Sequence, residues 1–193
     1  MSRLLLKAIC LLALVVAVPE ARATTIRRMT HEEMAQRAEL IVVGRGMESR
    51  SVWVGRMLVT RVTVAVDEIL KGQVQSTVTV DIPGGIDMNR KIPIGMSVSG
   101  APSILRGEHV VLFLARQQGI TAQAGSGEHA IVGFSQGKFS VVEDGQGGQV
   151  VTPGAGRGAR MPLAEFKAEI QRHISGQRLG ERPQTRGLPV EED

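Results

Sequence analysis

Met57-Leu58-Val59-Thr60-Arg61-Val62-Thr63-Val64-Ala65-Val66 decides how the chain is read. Leu58, Thr60, Val62, Val64 and Val66 fall on one side of an extended backbone, with Met57, Val59, Arg61 and Thr63 on the other. A period of two is what a β-strand puts to use, and the β-branched residues filling it pack well on a pleated surface. Asp67-Glu68-Ile69-Leu70-Lys71-Gly72 is expected to end the element, Gly72 supplying the turn. Val78, Val80 and Ile82 then alternate with Thr77, Thr79 and Asp81, which predicts the next strand over Ser76 to Ile82.

Upstream, Leu40-Ile41-Val42-Val43-Gly44 is an uninterrupted apolar run of strand length, expected to be covered on both faces, and Val52 to Val54 continues it beyond a bend near Gly44 and Gly46. Before it, Thr30 and Glu33 have capping-box spacing, predicting a short helix from His31 to about Ala38. Downstream, Gly107-Glu108 turns into a buried strand, His109 to Leu114, and two more strands are expected near Ala130 to Phe134 and Lys138 to Val142. Asp144 to Gly148 forms a hairpin turn into Gln149 to Thr152. Pro162 suits the first position of a helix on which Leu163, Phe166, Ile170 and Ile174 repeat at helical spacing. The fold class is therefore mainly β: a small antiparallel, OB-like barrel with a short N-terminal helix and a C-terminal helix, spanning residues 24–174. The alternation of strand and helix that a nucleotide-binding α/β fold needs is missing.

The two ends read differently. Arg3 and Lys7 precede an uncharged apolar run, Ala8 to Val18, too short for a bilayer-spanning helix; Pro19 and Glu20 break it, and Ala21-Arg22-Ala23 is a small-x-small cleavage pattern. Residues 1–23 are expected to be a signal peptide, making Thr24 the new terminus and the chain secreted or periplasmic, with no stable membrane insertion after cleavage. The only cysteine, Cys10, leaves with the leader, so disulfides, thiolate metal sites and cysteine nucleophiles are excluded from the mature chain. Losing Arg3, Lys7, Arg22 and Glu20 lowers the formal net charge from +4 to about +2. Ser175 to Asp193 is almost free of apolar residues and is expected to be a disordered tail.

Composition and motif spacing exclude several functions. Basic residues such as Arg27, Arg50, Arg61, Arg106 and Arg160 are scattered, tyrosine is absent, Trp53 is the only tryptophan and there are four phenylalanines, so neither nucleic acid nor sugar finds a stacking platform. Gly133-Phe134-Ser135-Gln136-Gly137 fits G-x-S-x-G, with Asp144 and His173 following in hydrolase order. A nucleophile elbow needs a helix after the serine, however, and Lys138 to Val142 reads as a strand, so a serine esterase using Ser135 is kept only as an alternative. His31, His109, His129 and His173 show no pair at ligand spacing, and Gly154, Gly156 and Gly158 lack the Lys-Ser/Thr pair of a phosphate cradle. No catalytic residue, cofactor or metal is expected.

Ala38-Glu39-Leu40-Ile41-Val42-Val43-Gly44, then Val64 to Gly72 ending in Glu68-Ile69-Leu70-Lys71-Gly72, then Gly107-Glu108-His109-Val110-Val111-Leu112-Phe113-Leu114 resemble a pattern in secreted bacterial proteins of uncharacterised function. Gly133 to Phe139, with Gln136-Gly137-Lys138-Phe139, also resembles that group. The same order, over about Ala38 to Phe139, is similar to netrin-like and metalloproteinase-inhibitor domains. This resemblance implies an OB-type barrel that binds protein, with a secreted metalloprotease inhibitor as an alternative. Inhibitors of that class place the amine of a disulfide-fixed terminal cysteine on zinc; here Thr24 stands at the expected terminus and no disulfide can hold it.

The stretch from Pro83 to Pro102 reads as a loop longer than an ordinary connection, with Ile86, Met88, Ile92, Ile94 and Met96 as apolar tips. It is expected to be either the contact region for a partner, most simply another exported protein, or a lid folded over one end of the barrel. The expected function is an exported, non-enzymatic binding domain.

Overall fold

The computed structural model describes residues 27–116, 129–154 and 158–180. The expected signal peptide, Thr24 and residues 181–193 of the expected tail lie outside the described residues. The chain is mainly β, with strands β1 (Leu40–Val54), β2 (Met57–Lys71), β3 (Thr77–Pro83), β4 (Gly85–Asp87), β5 (Ile94–Met96), β6 (His109–Arg116), β7 (His129–Ile131), β8 (Lys138–Glu143), β9 (Gln149–Pro153) and β10 (Met161–Pro162). Two helices, α1 (His31–Arg37) and α2 (Leu163–Gly180), flank them.

The two uninterrupted apolar runs lie side by side. β1 and β6 pair antiparallel, Ile41 opposite Phe113 and Val43 opposite Val111. Their side chains serve two cores, which is why neither run alternates with polar residues. Leu40, Val42, Val110, Leu112 and Leu114 join Val62 and Val64 of β2, Val78 and Val80 of β3 and Ile131 of β7 in one cluster. Ile41, Val43, Val111 and Phe113 face the other way and pack with Met34 of α1, Phe139 of β8 and Phe166, Ile170 and Ile174 of α2. Phe139 and Phe166 form the tightest aromatic contact there, their centroids 4.7 Å apart, within the range where ring pairs add to simple burial. The apolar stripe of α2 is thus a packed face.

Strand pairing follows a circuit. β1 pairs with β2, β2 with β3, β3 with β7, β7 with β6, and β6 with β1; β8, β9 and β10 continue from β6. The expectation of a wholly antiparallel sheet is corrected at one joint, because β3 and β7 pair in parallel, at Val80 and His129. Parity requires it: five strands whose other neighbours all alternate in direction cannot close a circuit without one like-directed pair.

Several boundaries also move. β2 runs on to Lys71, past the expected end at Asp67, and β1 is one strand from Leu40 to Val54, with no break at Gly44 or Gly46. Shifts of register at Ile41/Val42, Val43/Gly44 and Gly46/Glu48 stand where the bend was expected. α2 begins after Pro162, which belongs to β10, and continues through Gly180, so Ser175 to Gly180, expected in the tail, are helical. α1 begins as expected, Thr30 Oγ1 accepting from the Glu33 amide at 3.1 Å and Glu33 Oε2 accepting from the Thr30 amide at 2.9 Å.

Candidate partner-binding surface

The stretch expected to be a loop contains a hairpin, β4 pairing with β5 through Gly85 opposite Met96, Ile86 opposite Gly95 and Asp87 opposite Ile94. Backbone polar groups fasten its first strand to the far ends of β1 and β2. The Gly84 amide donates to the Leu58 carbonyl at 2.8 Å, Thr60 Oγ1 to the Gly84 carbonyl at 2.7 Å, and the Ile86 amide to Ser51 Oγ at 3.0 Å. Gly85 is required at this crossing, since a Cβ there would stand 2.5 Å from Ser51 Oγ and 2.7 Å from Thr60 Oγ1.

Asp87 pins the turn. Its Oδ2 accepts from Trp53 Nε1 at 2.7 Å and from Arg90 Nε at 3.0 Å, and its Oδ1 accepts from the Asn89 amide at 3.0 Å. The Trp53 indole and then the Asn89 amide, with help from Arg90, hold the Asp87 pKa below its ordinary 3.8 against the opposing effect of burial. The Arg90 guanidinium also lies over the Trp53 ring, 5.4 Å from its centroid, close enough for a cation–π contact.

With its base held, the hairpin presents Ile86, Met88 and Ile92 to solvent at 58%, 70% and 76% exposure, and Ile94 is exposed beside them. Met96 departs from this set: it is half-buried and lines a cavity of ≈390 Å³ together with Thr60, Val62, Ile82, Ala101 and Ile104. Trp53 and Met57, flanking the β1–β2 turn, add 39% and 41% exposed apolar surface. Sequence reasoning noted Trp53 only as a solitary aromatic and missed Asp87, whose partners lie 34 residues away in the case of Trp53 and three in the case of Arg90.

The hydrolase-like residues take up other duties. Ser135 sits in the turn between β7 and β8, where the Gly137 amide donates to the Val132 carbonyl at 3.0 Å, and a strand follows it. Asp144 Oδ1 accepts from the Gln146 and Gly148 amides at 2.9 Å and 2.7 Å, closing its own turn. His173 Nε2 lies 3.6 Å from Glu169 Oε1, an oxygen that His31 Nδ1 approaches to 2.9 Å. His109 is the neighbour of Asp67 at 3.8 Å, and burial pushes its pKa down. Among the described residues no group of three or more His, Cys, Asp or Glu side chains is placed to hold a metal ion, and no helix is long and apolar enough to cross a membrane.

No protein-family model matches the chain, and no curated protein matches it.

Proposed function

We propose that the chain is an exported, non-catalytic binding domain built on an OB-like barrel, and that it engages its partner through the tip of the β4–β5 hairpin. The five-strand circuit with its single parallel joint supports the barrel, because an OB-type barrel is a closed or nearly closed sheet of five strands. Export rests on the apolar run Ala8 to Val18 and the small-x-small pattern at Ala21-Arg22-Ala23.

The observation that carries the binding role is the exposure of Ile86, Met88 and Ile92 on a turn that Asp87 and Trp53 hold in place. Apolar side chains gathered on an ordered support and left in water mark an interaction surface, since single exposed residues need no such scaffold. Rigidity also lowers the ordering entropy that a partner must overcome.

A photo-reactive residue placed at Met88 in cells is expected to form an adduct with a component of the exported compartment, and one placed at Gly145, in the β8–β9 turn, is not. Absence of any adduct from Met88, or equal labelling from both positions, overturns the reading. N-terminal sequencing of the recovered chain is expected to begin at Thr24.

A further inference from the structure

The surface that the hairpin tip offers is cationic as well as apolar. The β1–β2 turn and the hairpin expose Arg56, Arg90 and Lys91 beside Trp53, Ile86, Met88 and Ile92. Across 49–58 and 84–97 the sole carboxylate is Asp87, and it is buried and already joined to Trp53 and Arg90. The next acid along β1, Glu48, stands opposite Thr63, several residues back from the turn that joins Val54 to Met57.

We infer that this tip docks peripherally on an anionic phospholipid surface, the isoleucine and methionine side chains entering the acyl boundary while Arg56 and Lys91 meet the phosphates. The inference rests on the hairpin being the binding surface, as proposed above, and names its occupant. The sequence alone points to another exported protein as partner; the charge around the tip favours a bilayer. Shallow insertion of apolar side chains ringed by lysine and arginine is the arrangement that interfacial binding uses, and each cation near an anionic surface strengthens it. Trp53 suits the same boundary, having an apolar ring and a polar N–H that Asp87 already satisfies. Docking leaves the strands paired and needs no helix to span the membrane.

Trp53 is the chain's only tryptophan and lies at the proposed contact, so its own fluorescence reports the event. The exported chain is titrated with vesicles of phosphatidylcholine containing phosphatidylglycerol, and in parallel with vesicles of phosphatidylcholine alone. The expected result is a blue shift of emission and co-sedimentation with the anionic vesicles, weakening as salt shortens the range of the attraction. Arg56→Glu with Lys91→Glu, both exposed side chains outside the Asp87 pin, should lower the partition coefficient by about tenfold or more. Ile86→Asn with Ile92→Asn should abolish the shift, and because both side chains are already exposed the thermal midpoint should stay in place. No shift with anionic vesicles, or equal binding to both kinds, overturns the inference. A protein adduct from Met88 alongside that failure would leave the hairpin as a binding surface and remove only the bilayer.

Discussion

Arg61 and Asp81 stand directly opposite each other on β2 and β3 and are joined by two side-chain hydrogen bonds, Nε to Oδ1 at 2.9 Å and Nη2 to Oδ2 at 3.0 Å. The Asp81 carboxylate is almost wholly buried and Arg61 is largely so. A bidentate pair of this kind holds two strands in one register, because sliding either by a residue would place a charge against the apolar core. Removing one partner should therefore cost more than removing both. Arg61→Met alone and Asp81→Val alone are each expected to destabilise the fold by about 3 kcal/mol, and the two combined to recover most of that loss. Urea denaturation of the three variants, read as a double-mutant cycle, checks it; additive losses would contradict a coupled pair.

Gly44 supports a second prediction. A Cβ at that position would stand 2.2 Å from the Ala65 carbonyl oxygen, which is backbone and cannot swing aside. Gly44→Ala should lower stability by about 2 kcal/mol or more, whereas Gly145→Ala, where nothing lies within 4 Å, should be nearly silent. Thermal melts of the two variants separate close packing from the general loss of glycine.

The pin at Asp87 makes the hairpin sensitive to acid. Its folded pKa is depressed, so its contribution is complete above the ordinary value of 3.8 and disappears as pH falls through the lower, folded value. Trp53 fluorescence should change across that acid range in the native chain and stay flat in Asp87→Asn. Trp53→Phe, which removes the largest cause of the shift, should raise the Asp87 pKa followed by carboxyl carbon NMR.

Glu108 has a related role just before β6. It accepts from Lys138 Nζ at 2.7 Å, from Ser140 Oγ at 2.7 Å and from the Leu105 amide at 2.8 Å. Burial alone would raise its pKa, but these three bonds outweigh it and leave the pKa below the ordinary 4.5. The stability it supplies is accordingly present above pH 4.5 and lost as pH drops through the folded value. Lys138 is buried, so Glu108→Gln should destabilise by about 3 kcal/mol at neutral pH by leaving an ammonium group without its counter-charge. Comparing urea midpoints at neutral and acid pH should find the difference between variant and parent shrinking with acid.

Strand patterning in the sequence located most of the ladder because core positions demand it. Val62, Val64, Val78 and Val80 must all reach one apolar cluster, so their spacing was legible. The bend expected in β1 near Gly44 and Gly46 falls where its pairing with β2 shifts register, at Val43/Gly44 and Gly46/Glu48, and the strand runs on through both irregularities. The charged pair Asp67-Glu68 suggested an end to β2, yet both are exposed and interrupt nothing. β4 and β5 were invisible, since three-residue strands carrying Gly85 and Gly95 are too short to alternate. The apolar tips of the site were legible as a list of residues; their support was not, because the Trp53–Asp87 bond depends on how the hairpin crosses β1. Neither did the tail reveal that α2 would outlast its apolar stripe, because Ser175 and Gly176 follow Ile174 and break the apolar repeat that a pattern could report.

The parallel joint of the circuit is a narrow seam. β3 is laced to β2 from Ala65 opposite Thr77 to Val59 opposite Pro83, whereas its register with β7 among the described residues is the single pair Val80 and His129. Opening that seam would turn β3 into a raw margin that bears Val78, Val80 and Ile82 on one face. A ribbon of that composition invites stacking against its own kind in a neighbouring molecule. A gape there would offer that margin to a neighbour while the β2–β3 ladder still held.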